Sequence, residues 1–296
     1  VDIDRTQDIR DPRSWDDASF QRNLDALTGW GRGPVVIVDS TGSTNADVAD
    51  QVRQGAPAGF AVVAHEQVRG RGRLDRTWQS PPGAGIAMSI AVRPSTPVSR
   101  WGWLPLLAGI AVVHACADAG LAARLKWPND IVVTSSIDSP DLLATADHYE
   151  PLRKLGGILV ERVDASDEGF GVAAVIGIGV NVDLARHECP TPQATSFRLE
   201  GHAADREYLV TRILDHVVEL IDGWDRSGGD VLTIGAHAEY SSMCSTLGQT
   251  VRVERPGGDL LVGRAVSLHE SGGLVIQPEE GQTVVVTAGD IVHLRQ

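Results

Sequence analysis

From Pro34 onward the chain is built of short β-branched runs closed off by glycine, proline or asparagine. They are VVIVDS (35 to 40), FAVVAHEQ (60 to 67), GIAMSIAV (85 to 92), RLKW (124 to 127), IVV (131 to 133), GGILVERV (156 to 163) and GVAAVIGIGVNV (171 to 182). Runs of this kind read as strands. Helical periodicity interrupts them in few places. TNADVADQVRQG has Thr44 and Asp47 at capping-box spacing and closes at Gly55, which predicts a short helix. WLPLLAGIAVVHACADAG (103 to 120) is apolar nearly all round, which predicts a buried helix with Pro105 in its first turn. Between Arg206 and Trp224, Leu209, Ile213, Val217, Leu220 and Trp224 share one stripe of an amphipathic helix. The class expected is α+β: a mixed sheet backed by helices on one face.

After Ser242 the pattern changes to short strands separated by PGG, SGG and AGD turns, with no helix. That suits a small barrel of about 50 residues. The expected division is an N-terminal arm at 1–33, a main domain at 34–242 and a barrel at 243–296. Residues 134–153, TSSIDSPDLLATADHYEPLR, show no period and join two short strands, so they read as a disordered insertion.

The 296 residues suffice for a well-buried core. No apolar run reads as long enough to span a bilayer, and the first residues carry no signal-peptide pattern. Cys116, Cys189 and Cys244 fit neither a disulfide framework nor a zinc site. The expectation is a cytoplasmic protein with reduced thiols. A formal net charge of −13 repels polyanions and anionic membranes at long range, so no nucleic-acid or membrane partner is expected.

Against that charge, EQVRGRGRLDRTW (66 to 78) gathers Arg69, Arg71, Arg73 and Arg76 within eight positions. Glycines at 70 and 72 allow unusual backbone conformations and close approach of a ligand, and the arginine forks bind carboxylate or phosphate. A solvated charge run or an RGG-like nucleic-acid segment is the alternative. LKWPND (125 to 130) drives Trp127 out of the helical region and sets Asn129 and Asp130 at a strand end; it also reads as an ordinary turn. In RKLGGILVE, Lys154 enters an apolar strand, or is only a strand-end charge. GIGVNV (177 to 182) fails as a dinucleotide fingerprint, because Val182 stands at the third glycine position and no helix follows. Its glycines suit close ligand access instead. HEQVR is not a zinc-protease motif, because Arg69 stands at the second histidine position.

Taken together and in this order, DSTGSTN (39 to 45), EQVRGRGRLDRTW, LKWPND, KLGGILVE and GIGVNV resemble biotin protein ligase, in the short class that lacks a DNA-binding domain. The resemblance implies a biotin/lipoate ligase-like catalytic domain followed by an SH3-like barrel. It implies a two-step reaction using biotin, ATP and Mg²⁺, in which biotinyl-5'-AMP forms and biotin then passes to a lysine of a biotin carboxyl carrier domain of an acyl-CoA or pyruvate carboxylase. It implies a monomer or weak homodimer. A lipoate or octanoyl ligase of the same fold is the alternative.

Residue by residue, the resemblance gives Ser43, Thr44, Asn45 and Gln67 to the ureido ring of biotin, with Thr44 alternatively a helix cap. Arg71, Gly72, Arg73, Lys154 and Gly157 complete the biotin set. Arg73, Arg76, Trp78, Asn129, Lys154 and Asn181 form the ATP and adenylate set. Lys154, Arg73 and Asp130 are the catalytic candidates, Asp130 holding Mg²⁺ or taking the acceptor lysine's proton. The sequence departs from the family pattern at Asp75, where a glycine is usual. This acid is expected to pair with an arginine and weaken the hold on the intermediate, the alternative being that it stiffens the loop.

Overall fold

In the computed structural model the described residues are 20, 21, 24, 33–74, 76–134, 152–164, 171–254, 259–287 and 289–294. Asp75, nearly all of the 134–153 insertion and most of the arm lie outside them. From the arm, Phe20 and Leu24 are buried in the main core.

The chain runs β1 (Val35–Thr41), α1 (Thr44–Arg53), β2 (Ala61–Gln67), β3 (Gly70–Arg71), β4 (Thr77–Trp78), β5 (Gly85–Val92) and α2 (Leu104–Asp118). Then follow β6 (Arg124–Lys126), β7 (Asp130–Thr134), β8 (Leu152–Asp164), β9 (Val172–Asn181), α3 (Arg206–Arg226) and α4 (Ala236–Met243). Five short strands close the chain: β10 (Thr250–Glu254), β11 (Leu260–Leu268), β12 (Leu274–Gln277), β13 (Val284–Val286) and β14 (Asp290–His293).

Seven strands form one mixed sheet in the order β1-β2-β5-β9-β8-β7-β6, parallel between β1 and β2 and antiparallel elsewhere. Its two faces are read from the alternation of β9. Ala174, Ile176 and Ile178 point into the main core with α2 and α3, whereas Ala173 and Val175 pack under Val48, Ala49 and Val52 of α1. The helices therefore do not all lie on one face as expected. A parallel β1–β2 pair needs a crossover, and α1 is that crossover, placed opposite the long helices. It covers only part of its face and leaves the rest open.

Helix α2 is buried nearly all round with Pro105 in its first turn, as its composition predicts. Counted with the 3-10 turn before it, Val98–Asp118 reaches the length and hydropathy of a membrane span, contrary to the expectation that no apolar run is long enough. Here that apolarity is spent inside the core. The Thr44/Asp47 capping box does not form. Ser43 is the N-cap, Thr44 Oγ1 donates to Gln67 Oε1 and Asp47 accepts from Thr41.

The last five strands make an antiparallel sheet, β13-β12-β11-β10-β14, with Val251, Val253, Ala265, Leu274, Ile276 and Val286 inside. This SH3-like barrel docks on two buried tryptophans. Trp103 Nε1 donates to Glu270 O at 2.7 Å and Trp127 Nε1 to Gly272 O at 2.9 Å. His293 lies 3.3 Å from Thr246 Oγ1, at the seam between barrel and sheet.

Burial, and secondarily the Lys126 charge, push the His293 imidazole down from 6.5 to about 4. Between those values the unfolded chain takes up a proton that the folded chain refuses. Stability is therefore full above about pH 6.5 and falls as the pH drops toward 4. Urea titrations near neutrality and at about pH 4.5 should show a shallower fall for His293→Gln than for the wild type. An equal fall would mean that His293 is already protonated in the folded barrel.

Candidate active site

On the α1 face of the sheet, beyond the N-terminal end of α1, side chains give way to glycine. Gly157 on β8 pairs with Gly179 on β9, Leu159 with Gly177, and Ala87 and Ser89 of β5 lie across from those same two glycines. With so few Cβ atoms, that face is hollowed to its backbone. A Cβ at 179 would fall 2.5 Å from the Trp78 ring, and one at 177 would strike the Asn45 amide. The result is a cavity of about 550 Å³, within the range of small-molecule sites.

The sequence-predicted residues converge on it. Ser43, Thr44, Asn45, Gln67, Arg71, Gly72, Arg73, Arg76, Trp78, Asn129, Asp130, Lys154, Gly157 and Asn181 all line this cavity. One end is a polar pocket at the start of α1. Gln67 Oε1 accepts from Thr44 N at 2.9 Å and from Thr44 Oγ1 at 3.1 Å. Ser89 Oγ donates to Asn45 Oδ1 at 2.6 Å and lies 2.7 Å from Thr44 Oγ1. Ser43, Thr44, Asn45 and Ser89 are buried, so the contacts of Ser89 are made out of water and hold their partners firmly.

The other end is charged. Lys154 Nζ meets Asp130 Oδ1 at 2.6 Å and lies 6.0 Å from the Trp78 ring centroid. Its direction comes from a β-bulge: Ile131 pairs with Gly156 but Val132 pairs with Lys154, so Leu155 is skipped. Leu155 is fully buried, and the bulge turns Lys154 to the same face as Gly157, its Nζ 3.6 Å from where a Cβ at 157 would sit. Bulges re-aim side chains in this way. The Lys154 backbone is held by bonds to Gln193 O at 2.7 Å and from Thr195 N at 2.9 Å.

The arginine stretch folds as the β3–β4 hairpin over the cavity. Arg73 Nη1 donates to Asn129 Oδ1 at 3.3 Å, and Asn129 Nδ2 donates to Ile158 O at 3.0 Å. Burial lowers the Arg73 guanidinium below its ordinary value, Asp130 opposes that shift and Arg76 adds to it; it remains a cation at neutral pH. The glycines serve the hairpin otherwise than expected. Neither Gly70 nor Gly72 has positive φ; that conformation falls on Leu74, at 53°. Gly70 is needed because a Cβ there would collide with Gln67 and with the Trp78 carbonyl. Asn181 turns its amide nitrogen to Thr195 O at 2.9 Å, bracing the segment that holds Lys154. The Trp127–Pro128 bond is cis.

Residues 37–181 match the biotin/lipoate A/B protein ligase family, and residues 246–294 match the biotin protein ligase C-terminal domain. Over 302 aligned positions that cover both chains in full, the sequence is 35% identical to the biotin-[acetyl-CoA-carboxylase] ligase of Mycobacterium tuberculosis. The chain belongs to the biotin/lipoate A/B protein ligase family. A biotin-[acetyl-CoA-carboxylase] ligase of Paracoccus denitrificans is 30% identical over 84% of this chain and 96% of its own. Among solved structures, biotin protein ligase from Aquifex aeolicus in complex with biotin and ATP superposes with a TM-score of 0.68 at 25% identity, covering 88% of this chain and 99% of the other.

Three residues of this ligase-family site were not singled out from the sequence. Ser89 sits inside a strand run with only its polarity among apolar neighbours as a signal. Glu161 ends the quoted GGILVE. Lys126, the lysine of LKWPND, pairs in register with Asp130 and lines the cavity. Burial lowers its ammonium below the ordinary value, Asp130 works against that, and Lys154 and Arg76 add to it.

Gly177→Ala should displace the Asn45 amide and break its bonds to Ser89 and Glu161. The expected loss is roughly 1 to 3 kcal/mol, read by chemical denaturation. Unchanged stability would mean that the amide does not rest over Gly177.

Proposed function

We propose that this chain is an ATP-dependent biotin protein ligase of the cytoplasm that forms biotinyl-5'-AMP and transfers biotin to a carrier-domain lysine of a carboxylase. The observation that carries the reading is one cavity with a buried amide-and-hydroxyl pocket at one end and Lys154, Arg73, Arg76 and Lys126 at the other. A ureido ring needs the first and a carboxylate meeting a triphosphate needs the second. The relatives named as biotin ligases, together with the matching biotin protein ligase C-terminal domain, favour biotin over lipoate. An alkyl chain would leave the buried Thr44, Asn45 and Ser89 groups with no polar partner on the ligand.

In the first step a carboxylate oxygen of biotin attacks the α-phosphorus of ATP. The new O–P bond forms as the bond to the β-phosphate oxygen breaks, and pyrophosphate leaves. Lys154, fixed by its bulge and by Asp130, stands where negative charge is carried by the oxygens around the α-phosphorus. A donor held in place beforehand stabilises that transition state more than the separated reactants. Arg73, held by Asn129, and Arg76 face the phosphates, and Trp78 lies on the adenylate side. Arg71 and Gly72 belong to the hairpin that covers the mixed anhydride, which water would otherwise hydrolyse. In the second step the carrier amine attacks the anhydride carbonyl, the amide forms, AMP leaves and the amine's proton is lost to Asp130 or solvent.

Among the described residues no group of three or more His, Cys, Asp or Glu is arranged to hold a metal. Asp130 is a single carboxylate beside the phosphate end, which fits Mg²⁺ carried mainly by phosphate oxygens and water; bound there, the ion would offset phosphate charge. The division into an arm at 1–33, a catalytic domain at 34–242 and a barrel at 243–296 completes the reading, with the protein working as a monomer or weak homodimer and acetyl-CoA carboxylase its first candidate acceptor.

Incubation with biotin, ATP and Mg²⁺ followed by mass spectrometry should yield biotinyl-5'-AMP. In Lys154→Ala the rate should fall about 10²- to 10³-fold with thermal stability retained. No adenylate from the wild type, or equal rates in the two proteins, would overturn the assignment.

A further inference from the structure

Glu161 has no part in the chemistry above. It stands on the ligand face of β8, opposite Val175 of β9, one register step beyond the floor at Gly177. Its Oε2 accepts from Asn45 Nδ2 at 2.7 Å and from Arg71 Nη2 at 3.2 Å. Asn45 is 4% exposed on α1, whereas the Arg71 side chain is 49% exposed on the hairpin. A single carboxylate oxygen thus joins a fixed group in the pocket to a group on the segment that roofs it.

The bonds at Asn45 account for every amide hydrogen it has. Nδ2 donates to Glu161 and to Leu159 O at 3.3 Å, and Oδ1 accepts from Ser89. Such an amide has no donor left and one acceptor lone pair to offer. That acceptor lies over Gly177, at the cavity floor. The Leu159 carbonyl holds the same end of the amide, but the Glu161 carboxylate, closer and charged, is the stronger of the two acceptors that fix which end faces the ligand.

We infer that Glu161 is a positioning residue that sets Asn45 as an acceptor for a ligand N–H and moors Arg71, so that filling the pocket and closing the hairpin are coupled. The ligand's identity rests on the biotin reading, but the mooring is a property of the free protein. The strength is suited to the task. A half-exposed ion pair contributes modestly, so the hairpin is held yet still opens for the acceptor lysine.

Glu161→Gln keeps size and an acceptor for Asn45 while removing the charge that holds Arg71. Hydrogen exchange of residues 67–79 in the ligand-free full chain, referenced to β9, should be about three- to tenfold faster than in the wild type. Arg71→Met, which disturbs no buried group, should do the same, and the double variant should exchange no faster than the faster single variant. With biotin and ATP, bound biotinyl-adenylate should be released faster by a similar factor. Unchanged exchange in Glu161→Gln, or effects of the two substitutions that multiply, would overturn the inference. Absence of adenylate in the wild type would instead count against the proposed function, and exchange alone would then decide on the mooring.

Discussion

The absence of side chains from one patch of one sheet face is the constraint on which the rest depends. β8 and β9 alternate normally toward α2 and α3, where Ile158, Ile176 and Ile178 fill the core. On the opposite face the same strands carry Val175 under α1 and then Gly157, Gly177 and Gly179. Protein interiors close up around any space they can fill, so a hollow persists only where the backbone itself forms the floor and a rigid rim stands around it. Here the rim is the start of α1, the β3–β4 hairpin and the seam with the barrel.

Around that hollow the charges oppose the protein's overall sign. The chain carries −13, yet Lys126, Lys154, Arg73 and Arg76 gather about Asp130 at one end of the cavity. Confined to a partly desolvated cleft, they would act on a bound anion at short range, where solvent screens little. The acidic remainder of the chain repels extended polyanions at long range. The same burial that lowers Lys126 and Arg73 makes each of them stronger toward phosphate.

Much of this was legible in the sequence because it is carried by local signals. Each strand run became a strand, the all-apolar 103–120 segment became the core helix, and the turn-punctuated C-terminus became the barrel. The motif residues fell into one cavity because five short segments each mark a strand end or hairpin on its rim. What escaped depends on pairing across the chain. Nothing local says that α1 takes the opposite face; the parallel β1–β2 pair does. Thr44 and Asp47 have capping spacing, yet Gln67 and Thr41, brought close by that same pair, take their bonds. Ser89 and Glu161 matter through Asn45, 44 and 116 positions away in the chain. The skipped Leu155 that aims Lys154 is a register event, invisible in KLGG read alone.

A crystal structure of the chain with biotin, ATP and Mg²⁺ tests the central claim most directly. The account predicts the ureido ring against Thr44 and Asn45 over Gly177, with the carboxyl–phosphate junction between Lys154 and Arg73. A ligand bound away from the Gly157–Gly177–Gly179 floor, or one whose carboxyl end points to α1, would contradict it.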